Sequence, residues 1–319
     1  MRDLRIAVVG AGHMGKLHAE KVASMQAGGA RVELVGIADI DPHRARELGA
    51  KVGARAVSHV RELLGDLDAA IVAVPTLSHF EVVKELLVAG VDVLVEKPIA
   101  ATLAEAEELL ALARAGERML QVGHLEWYNT AMHVIRERVL GPRFIEAQRV
   151  GPFPDRATDI DVVRDLMIHD LDILQQLLGA EPERIEAVGI AVVTENVDIA
   201  NARITYPCGC IASLTASRVS MAPMRRIRFF QRDGYLSIDF LDRSAALFRR
   251  DAGGNGAPPR LRMHPLEVER GDPLLTQLAA FLRAVRTREK PAVDGAGGLD
   301  ALRSALRVID AMPDLDHLE

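Results

Sequence analysis

This chain has little that suits nucleic acid, a membrane or an oxidising compartment. Acidic residues outnumber basic ones by 45 to 39, and the net charge is −6. Proteins that grip a phosphate backbone or an anionic bilayer carry the opposite balance. No apolar run approaches the ~20 residues that cross a bilayer. The first strand-like run follows Met1 almost directly, which predicts no leader peptide. There are two cysteines, Cys208 and Cys210, beside Pro207 and Gly209. That spacing reads as a hairpin turn rather than a metal site or a disulfide. His124, His133 and His169 match no metal-ligand pattern, so no metal is expected. A Walker loop, a Ser-His-Asp nucleophile motif and internal repeats are all missing. A cytoplasmic protein fits these absences.

What is present is concentrated at residues 4–39, LRIAVVGAGHMGKLHAEKVASMQAGGARVELVGIAD. An apolar strand runs into Gly10-Ala11-Gly12-His13-Met14-Gly15, a helical pattern follows, and a second strand ends on Asp39. This is the dinucleotide-binding fingerprint in its strand–helix–strand context. Gly10 permits the tight turn, Gly12 lets the backbone approach a pyrophosphate, and Gly15 lets the helix lie close to the strand. Phosphates then sit at a helix N-terminus, where N–H groups and the dipole favour anions. A carboxylate at Asp39 suits both ribose hydroxyls and repels a 2′-phosphate, so NAD is expected rather than NADP.

With 319 residues, 49% hydrophobic and 26% charged, the chain has the size and composition of two soluble domains. The first 123 residues alternate strand and helix. Strands are predicted at 4–9, 32–38, 69–74, 91–95 and 119–122, and helices at 13–26, 42–49, 78–89 and 102–115. The strands are continuous apolar runs, as in a parallel sheet covered on both faces. Thr102 with Glu105 has capping-box spacing, and Gly90 reads as a helix stop. After Gly123 the pattern changes to helices at 131–139 and 162–178 and strands at 143–150, 184–193, 200–206, 211–217, 226–230, 235–240 and 245–249. Short turns join these strands, which indicates a largely antiparallel sheet. Residues 252–260 read as a loop. Two closing helices carry the apolar stripes Leu274, Leu278, Phe281, Val285 and Leu299, Leu302, Leu306, Ile309. The expected fold class is α/β: a doubly wound parallel sheet of the Rossmann type at 1–123, then an α+β domain at 124–319 for substrate and assembly. Ligands of such sheets bind outside the carboxyl ends of the parallel strands.

Two constellations could carry chemistry. Val95-Glu96-Lys97-Pro98 follows the fourth strand of the parallel sheet. Lys97 is either a surface lysine ahead of a proline turn or a donor that stabilises an oxyanion as hydride leaves. The second is the helix DLMIHDLDILQQLLG at 165–179. Asp161, Asp165, His169 and Asp172 lie at offsets of four, four and three, on one face. A solvated acidic face would explain them, but the helix is otherwise apolar nearly all round, so a polar stripe should border a cleft. His169 one turn from Asp165 is the arrangement of a base held in one tautomer by a carboxylate. Pro75, Thr76 and His79 follow the third strand at the cofactor edge. His124, Trp127 and Tyr128 follow the fifth and are candidates for substrate contact. His13 and His18 read as helix-surface histidines.

Together, Gly10-Ala11-Gly12-His13-Met14-Gly15 with His18, Asp39, Pro75-Thr76 with His79, Glu96-Lys97-Pro98, and Asp165 with His169 resemble the glucose–fructose oxidoreductase / inositol dehydrogenase (Gfo/Idh/MocA) family. The resemblance spans the chain. It implies an NAD(P)-dependent oxidoreductase acting on a secondary alcohol of a sugar or cyclitol. It gives the catalytic lysine as Lys97 and the helix pair as Asp165 and His169. It gives cofactor contacts to Gly10, Gly12, His13, Met14, Gly15, Asp39, Pro75, Thr76, His79, Glu96 and Lys97, and implies a homodimer or homotetramer through the C-terminal sheet. Many members follow the fifth strand with Asn-x-Arg, which this chain lacks. VGHLEWYNTA (122–131) and the 165–179 helix resemble a subgroup that oxidises the 3-hydroxyl of UDP-N-acetylglucosamine, ahead of transamination to a 3-amino sugar for lipid A. The alternatives are a free-sugar or inositol dehydrogenase and a non-catalytic NAD-binding sensor.

Overall fold

The apolar run Leu4–Val9 forms β1, and in the computed structural model it lies near the middle of a six-stranded parallel sheet. Residues 2–153, 160–251, 258 and 260–313 are described. They fall into two units, Met1–Tyr128 with Asp272–Leu302, and Asn129–Gly271 with Arg303–Glu319. The expected break after Gly123 thus stands five residues before the one at Tyr128, and Asp272–Leu302 returns to the first unit.

In the first unit β1 is followed by α1 (His13–Ala27), β2 (Val32–Ala38), α2 (Pro42–Val52), β3 (Arg55–Val57), β4 (Ala69–Val72), α3 (His79–Val88), β5 (Asp92–Val95), α4 (Leu103–Ala115) and β6 (Leu120–Val122). The strand order is β3-β2-β1-β4-β5-β6, and every pairing is parallel. Chain order reverses between β1 and β4, so their carboxyl ends form the switch point where such sheets take ligands. Strand β3 was not anticipated, because three residues carry no period. Nor is Gly49 the stop of α2: the helix continues to Val52 and ends at Gly53 in the left-handed region. The capping box of α4 is present, with Thr102 N–H donating to Glu105 Oε2 and Glu105 N–H to Thr102 Oγ1.

The second unit contains α5 (Ala131–Arg138), β7 (Phe144–Val150), a π-helical turn at Val163–Met167 running into α6 (Ile168–Leu178), then β8 (Arg184–Ile190), β9 (Ile199–Thr205), β10 (Ile211–Ser217), β11 (Met224–Gln231), β12 (Gly234–Asp239), β13 (Ser244–Asp251) and β14 (Arg260–Leu266). The sheet order is β14-β13-β12-β11-β7-β10-β9-β8. Neighbours are antiparallel except β7 with β10. Alternate residues such as Ile145, Ala147, Leu214, Ile227, Phe229, Leu236 and Ile238 are buried on one face. The other face carries a ladder of Phe144, Phe230, Tyr235 and Phe248 in register, with ring centroids 5.7, 4.9 and 4.4 Å apart. The predicted loop at 252–260 lies outside the described residues except for 258 and Arg260, which opens β14. Cys208 and Cys210 sit in the β9–β10 turn, where Gly209 N–H donates to Tyr206 O.

Two helices follow. α7 (Pro273–Thr287) packs Leu278, Phe281, Leu282 and Val285 into the same core as Ile6, Val8 and Val22. α8 (Gly295–Asp310) starts in the first unit, and its later residues belong to the second. Its buried face is Leu299, Ala301, Leu302, Ala305 and Val308; the expected Leu306 and Ile309 are only half-buried. No helix among the described residues is long and apolar enough to cross a membrane.

Candidate active site

The phosphate loop is built by exclusion of side chains. Gly10 has φ of +97°, and a Cβ there would overlap the carbonyl of Ala73. A Cβ on Gly15 would overlap the carbonyl of Gly10, so only glycine lets α1 start this close to β1. Gly12 is the reverse case, with nothing within 4 Å of a built Cβ. The two closed positions shape the loop and the open one is where a ligand backbone fits. Helices α2, α4 and α7 have their first N–H groups capped by Asp41, Thr102 and Asp272. α1 instead begins at Gly12, which has no side chain to cap with, and its first turn holds no acid. Uncapped N–H groups and the helix dipole make this end suited to a pyrophosphate. The residues therefore fit a dinucleotide.

Asp39 follows β2 and ties this loop in place. Ala11 N–H donates to its Oδ2 at 2.6 Å and Asp41 N–H to its Oδ1 at 2.8 Å. Each oxygen keeps further accepting capacity, as two ribose hydroxyls require. His13 is exposed and Met14 half-buried on the first turn of α1.

Two more loops leave the same sheet edge. After β4, Pro75 is exposed and Thr76 buried in a 3₁₀ turn. After β5 come Glu96 and half-buried Lys97, joined to Pro98 by a cis peptide bond. His79, 1% exposed, bridges these loops: Nδ1 lies 2.7 Å from Pro98 O and Nε2 3.0 Å from Val74 O. Burial pushes the His79 imidazole below its ordinary pKa, against the pull of the two carbonyls. Glu96 meets His18, whose Nε2 is 2.7 Å from Oε1. Burial pushes the Glu96 carboxyl up, but the bond from His18, with the charge of Lys97, leaves it below the usual carboxylate range.

His18 corrects the expectation of a surface residue: it is fully buried, on a face of α1 with Gly15, Ala19 and Val22. Offsets of three, four and seven from Gly15 were the available signal. After β6, His124 is fully buried, and Trp127 and Tyr128 are half-buried in the turn Leu125–Tyr128.

In the second unit the acidic stripe is not uniform. A π-helical turn at Val163–Met167 winds more residues per turn than an α-helix and interrupts the regular helix between Asp161 and Asp172. Asp161 accepts from Val163 N–H, Arg164 N–H and Arg164 Nε, capping the turn. Asp170 forms a buried pair with Arg149, at 3.0 and 3.2 Å. Asp172 is 1% exposed and accepts from Gln176. Asp165 and His169 are partly exposed. Arg149 had no sequence signal, since its partner lies 21 residues away.

Residues 4–124 match the family described as an oxidoreductase family with an NAD-binding Rossmann fold, and residues 128–237 match the Gfo/Idh/MocA C-terminal domain. The chain is 38% identical over 309 residues, 97% of each chain, to a UDP-N-acetylglucosamine 3-dehydrogenase of Acidithiobacillus ferrooxidans. It is 27% identical to a myo-inositol 2-dehydrogenase of Thermotoga maritima, over 94% of this chain and 93% of that one. The solved structure of the Acidithiobacillus ferrooxidans enzyme aligns with a TM-score of 0.90 over 98% of both chains, at 38% identity. A probable dehydrogenase from Thermotoga maritima aligns with a TM-score of 0.80 at 25% identity, over 97% of this chain and 96% of that one.

Proposed function

The chain belongs to the Gfo/Idh/MocA family of NAD-binding oxidoreductases, and from that premise we propose that it oxidises the 3-hydroxyl of UDP-N-acetylglucosamine to a 3-keto sugar. The observation that carries the chemistry is the carboxyl edge of one sheet, where an uncapped glycine-rich helix start, Asp39 and the Glu96-Lys97 loop follow β1, β2 and β5. The sugar substrate rests on the 38% identity over nearly the whole length of both chains. NAD is preferred to NADP because Asp39 adds negative charge where a 2′-phosphate would lie. The cofactor's nicotinamide ring supplies the hydride acceptor. Lys97 donates to the reacting hydroxyl oxygen and stabilises the alkoxide that develops as hydride departs. His169, held by Asp165, takes the hydroxyl proton. A second copy of the chain covers the aromatic ladder of the second unit, so that the protein acts as a homodimer or homotetramer.

NADH formation across nucleotide sugars, free hexoses and inositols tests the substrate. Turnover of UDP-N-acetylglucosamine alone is expected. Turnover of myo-inositol alone replaces the reading with the one favoured by the Thermotoga maritima relative. Lys97→Ala and His169→Ala should each lower kcat by about 10²–10⁴-fold. Wild-type turnover in both would end the assignment. Sedimentation of Tyr235→Glu should show a smaller species than wild type.

A further inference from the structure

The helix of the phosphate loop and the loop that carries Lys97 are joined by a part-buried hydrogen bond. His18 lies one turn past Gly15 on α1, and none of it reaches solvent. Its Nε2 is 2.7 Å from Glu96 Oε1, and since an ionised carboxylate only accepts, Nε2 carries the proton. Its Nδ1 is buried with no hydrogen-bond partner among the described residues, so the ring's polar role is this one contact. The other carboxylate oxygen faces Gly123 in the turn after β6. A Cβ there would lie 2.9 Å from Oε2 and 3.1 Å from Glu96 Cα. Gly123 N–H in turn donates to Val95 O at 2.7 Å, which fixes that turn against the end of β5. Glu96 is thus gripped from α1 on one side and the β6 turn on the other, and the next residue is Lys97.

We propose that His18 is a positioning residue: by holding the Glu96 carboxylate in a single rotamer, it fixes the loop that aims Lys97 at the reacting hydroxyl. The proposal rests on the role given to Lys97 above. Because His18 is on the helix whose first turn faces the pyrophosphate, the same bond ties the seat of the cofactor to the placement of the lysine. Gly123 is the second half of the device, leaving the carboxylate no alternative side to turn to.

The charged and titratable groups that bear on Glu96 are His18 from α1, Lys97 from its own loop and His79 from α3. Burial opposes the Glu96 charge, and the His18 N–H offsets it. Without that donor the balance moves toward burial, and the carboxyl takes up its proton at higher pH than in wild type.

The test compares His18→Gln, which keeps an N–H near the position of Nε2, with His18→Leu, which keeps bulk and loses the donor. His18→Leu is expected to lower kcat/KM about 10- to 100-fold at neutral pH, the usual effect of losing a hydrogen bond to a charged group. The loss should persist at high pH, because ionising Glu96 does not restore the donor, and the acid limb of the profile should move to higher pH. His18→Gln should stay within a few-fold of wild type, with an unmoved acid limb. Should His18→Leu not fold, Glu96→Gln removes the charge while keeping its shape, and should show a similar loss from a profile without the Glu96 acid limb.

NADH affinity, read by energy transfer from Trp127, the chain's one tryptophan, needs no sugar and so separates this proposal from the substrate assignment. It should gain a pH dependence in His18→Leu that wild type and His18→Gln lack. Equal behaviour of Leu, Gln and wild type would overturn the proposal. So would equal losses in both variants with the acid limb in place, since that is the mark of packing alone.

Discussion

At the carboxyl edge of the parallel sheet, the Asp39 carboxylate accepts one backbone N–H on each oxygen, from Ala11 and Asp41. In the mixed sheet, Asp198 accepts from the N–H groups of Val192, Val193 and Thr194, from the Thr194 hydroxyl and from Arg218 Nε. Both are carboxylates at or near strand ends, and they do opposite things. Asp198 is 0% exposed and its lone pairs are consumed by the protein, so it fastens the 192–198 turn to β10. Asp39 is partly exposed and has capacity in reserve, so it suits a ligand. Asp170 is closed to ligands by burial instead: each of its oxygens accepts from the Arg149 guanidinium, and both side chains are at most 5% exposed. The difference teaches that a motif carboxylate is a functional candidate when its inventory of hydrogen bonds is incomplete, and a scaffold when it is full.

That contrast can be broken by substitution. The largest effect is expected for Asp198→Ala, which leaves the Arg218 guanidinium, 2% exposed, without its carboxylate; removing one partner of a buried pair costs about 3–5 kcal/mol, readable as a lower urea midpoint. Those donors hold the Asp198 carboxyl well below its ordinary range, outweighing burial. The stability it adds is therefore full above about pH 4 and drains away as pH falls toward the folded-state pKa. Acid unfolding followed by circular dichroism should start at higher pH in a protein lacking this network's other half, Arg218→Met. Next comes Gly15→Ala, whose Cβ overlaps the Gly10 carbonyl; forcing the two elements apart costs about 1–3 kcal/mol and should abolish NADH binding. Asp39→Ala should weaken NAD by roughly 10-fold in calorimetry and narrow the gap between NAD and NADP, with little change in melting. The smallest stability effect belongs to Gly12→Ala, within about 0.5 kcal/mol of wild type, because its Cβ meets nothing; NADH affinity should still fall. If Gly12→Ala melted as low as Gly15→Ala, the division between closed and open glycines would be wrong.

Much of the parallel sheet could be read from the sequence, since its strands are buried on both faces and appear as plain apolar runs between helix signals. β1, β2 and the box at Thr102 were found this way. β3 escaped because three residues show no pattern, and β14 because its residues are almost all exposed. The glycine-rich loop was legible because Gly10 takes a left-handed φ and Gly15 a close approach to the Gly10 carbonyl, both of which need glycine. His18 reads as a surface histidine from the sequence, because its partner Glu96 stands 78 residues away and no local pattern reports that bond. The π-helical turn at Val163–Met167 carries no signal in the apolar pattern, which reads as one regular helix over 162–178. Long-range pairs and helix irregularities are the information a one-dimensional pattern does not carry.

Strand β7 lies between β10 and β11, which are consecutive in the chain yet never touch as neighbours in the sheet. To one side is a meander of three strands, β8-β9-β10, and to the other a meander of four, β11 through β14. Each meander can zip from adjacent hairpins. β7, made earliest, has both its partners, β10 and β11, far along the chain, so its pairings carry the larger loop-closure entropy. The pace of refolding of the second unit is expected to be set by those pairings, and a nascent chain holds β7 without a partner until β10 has been synthesised.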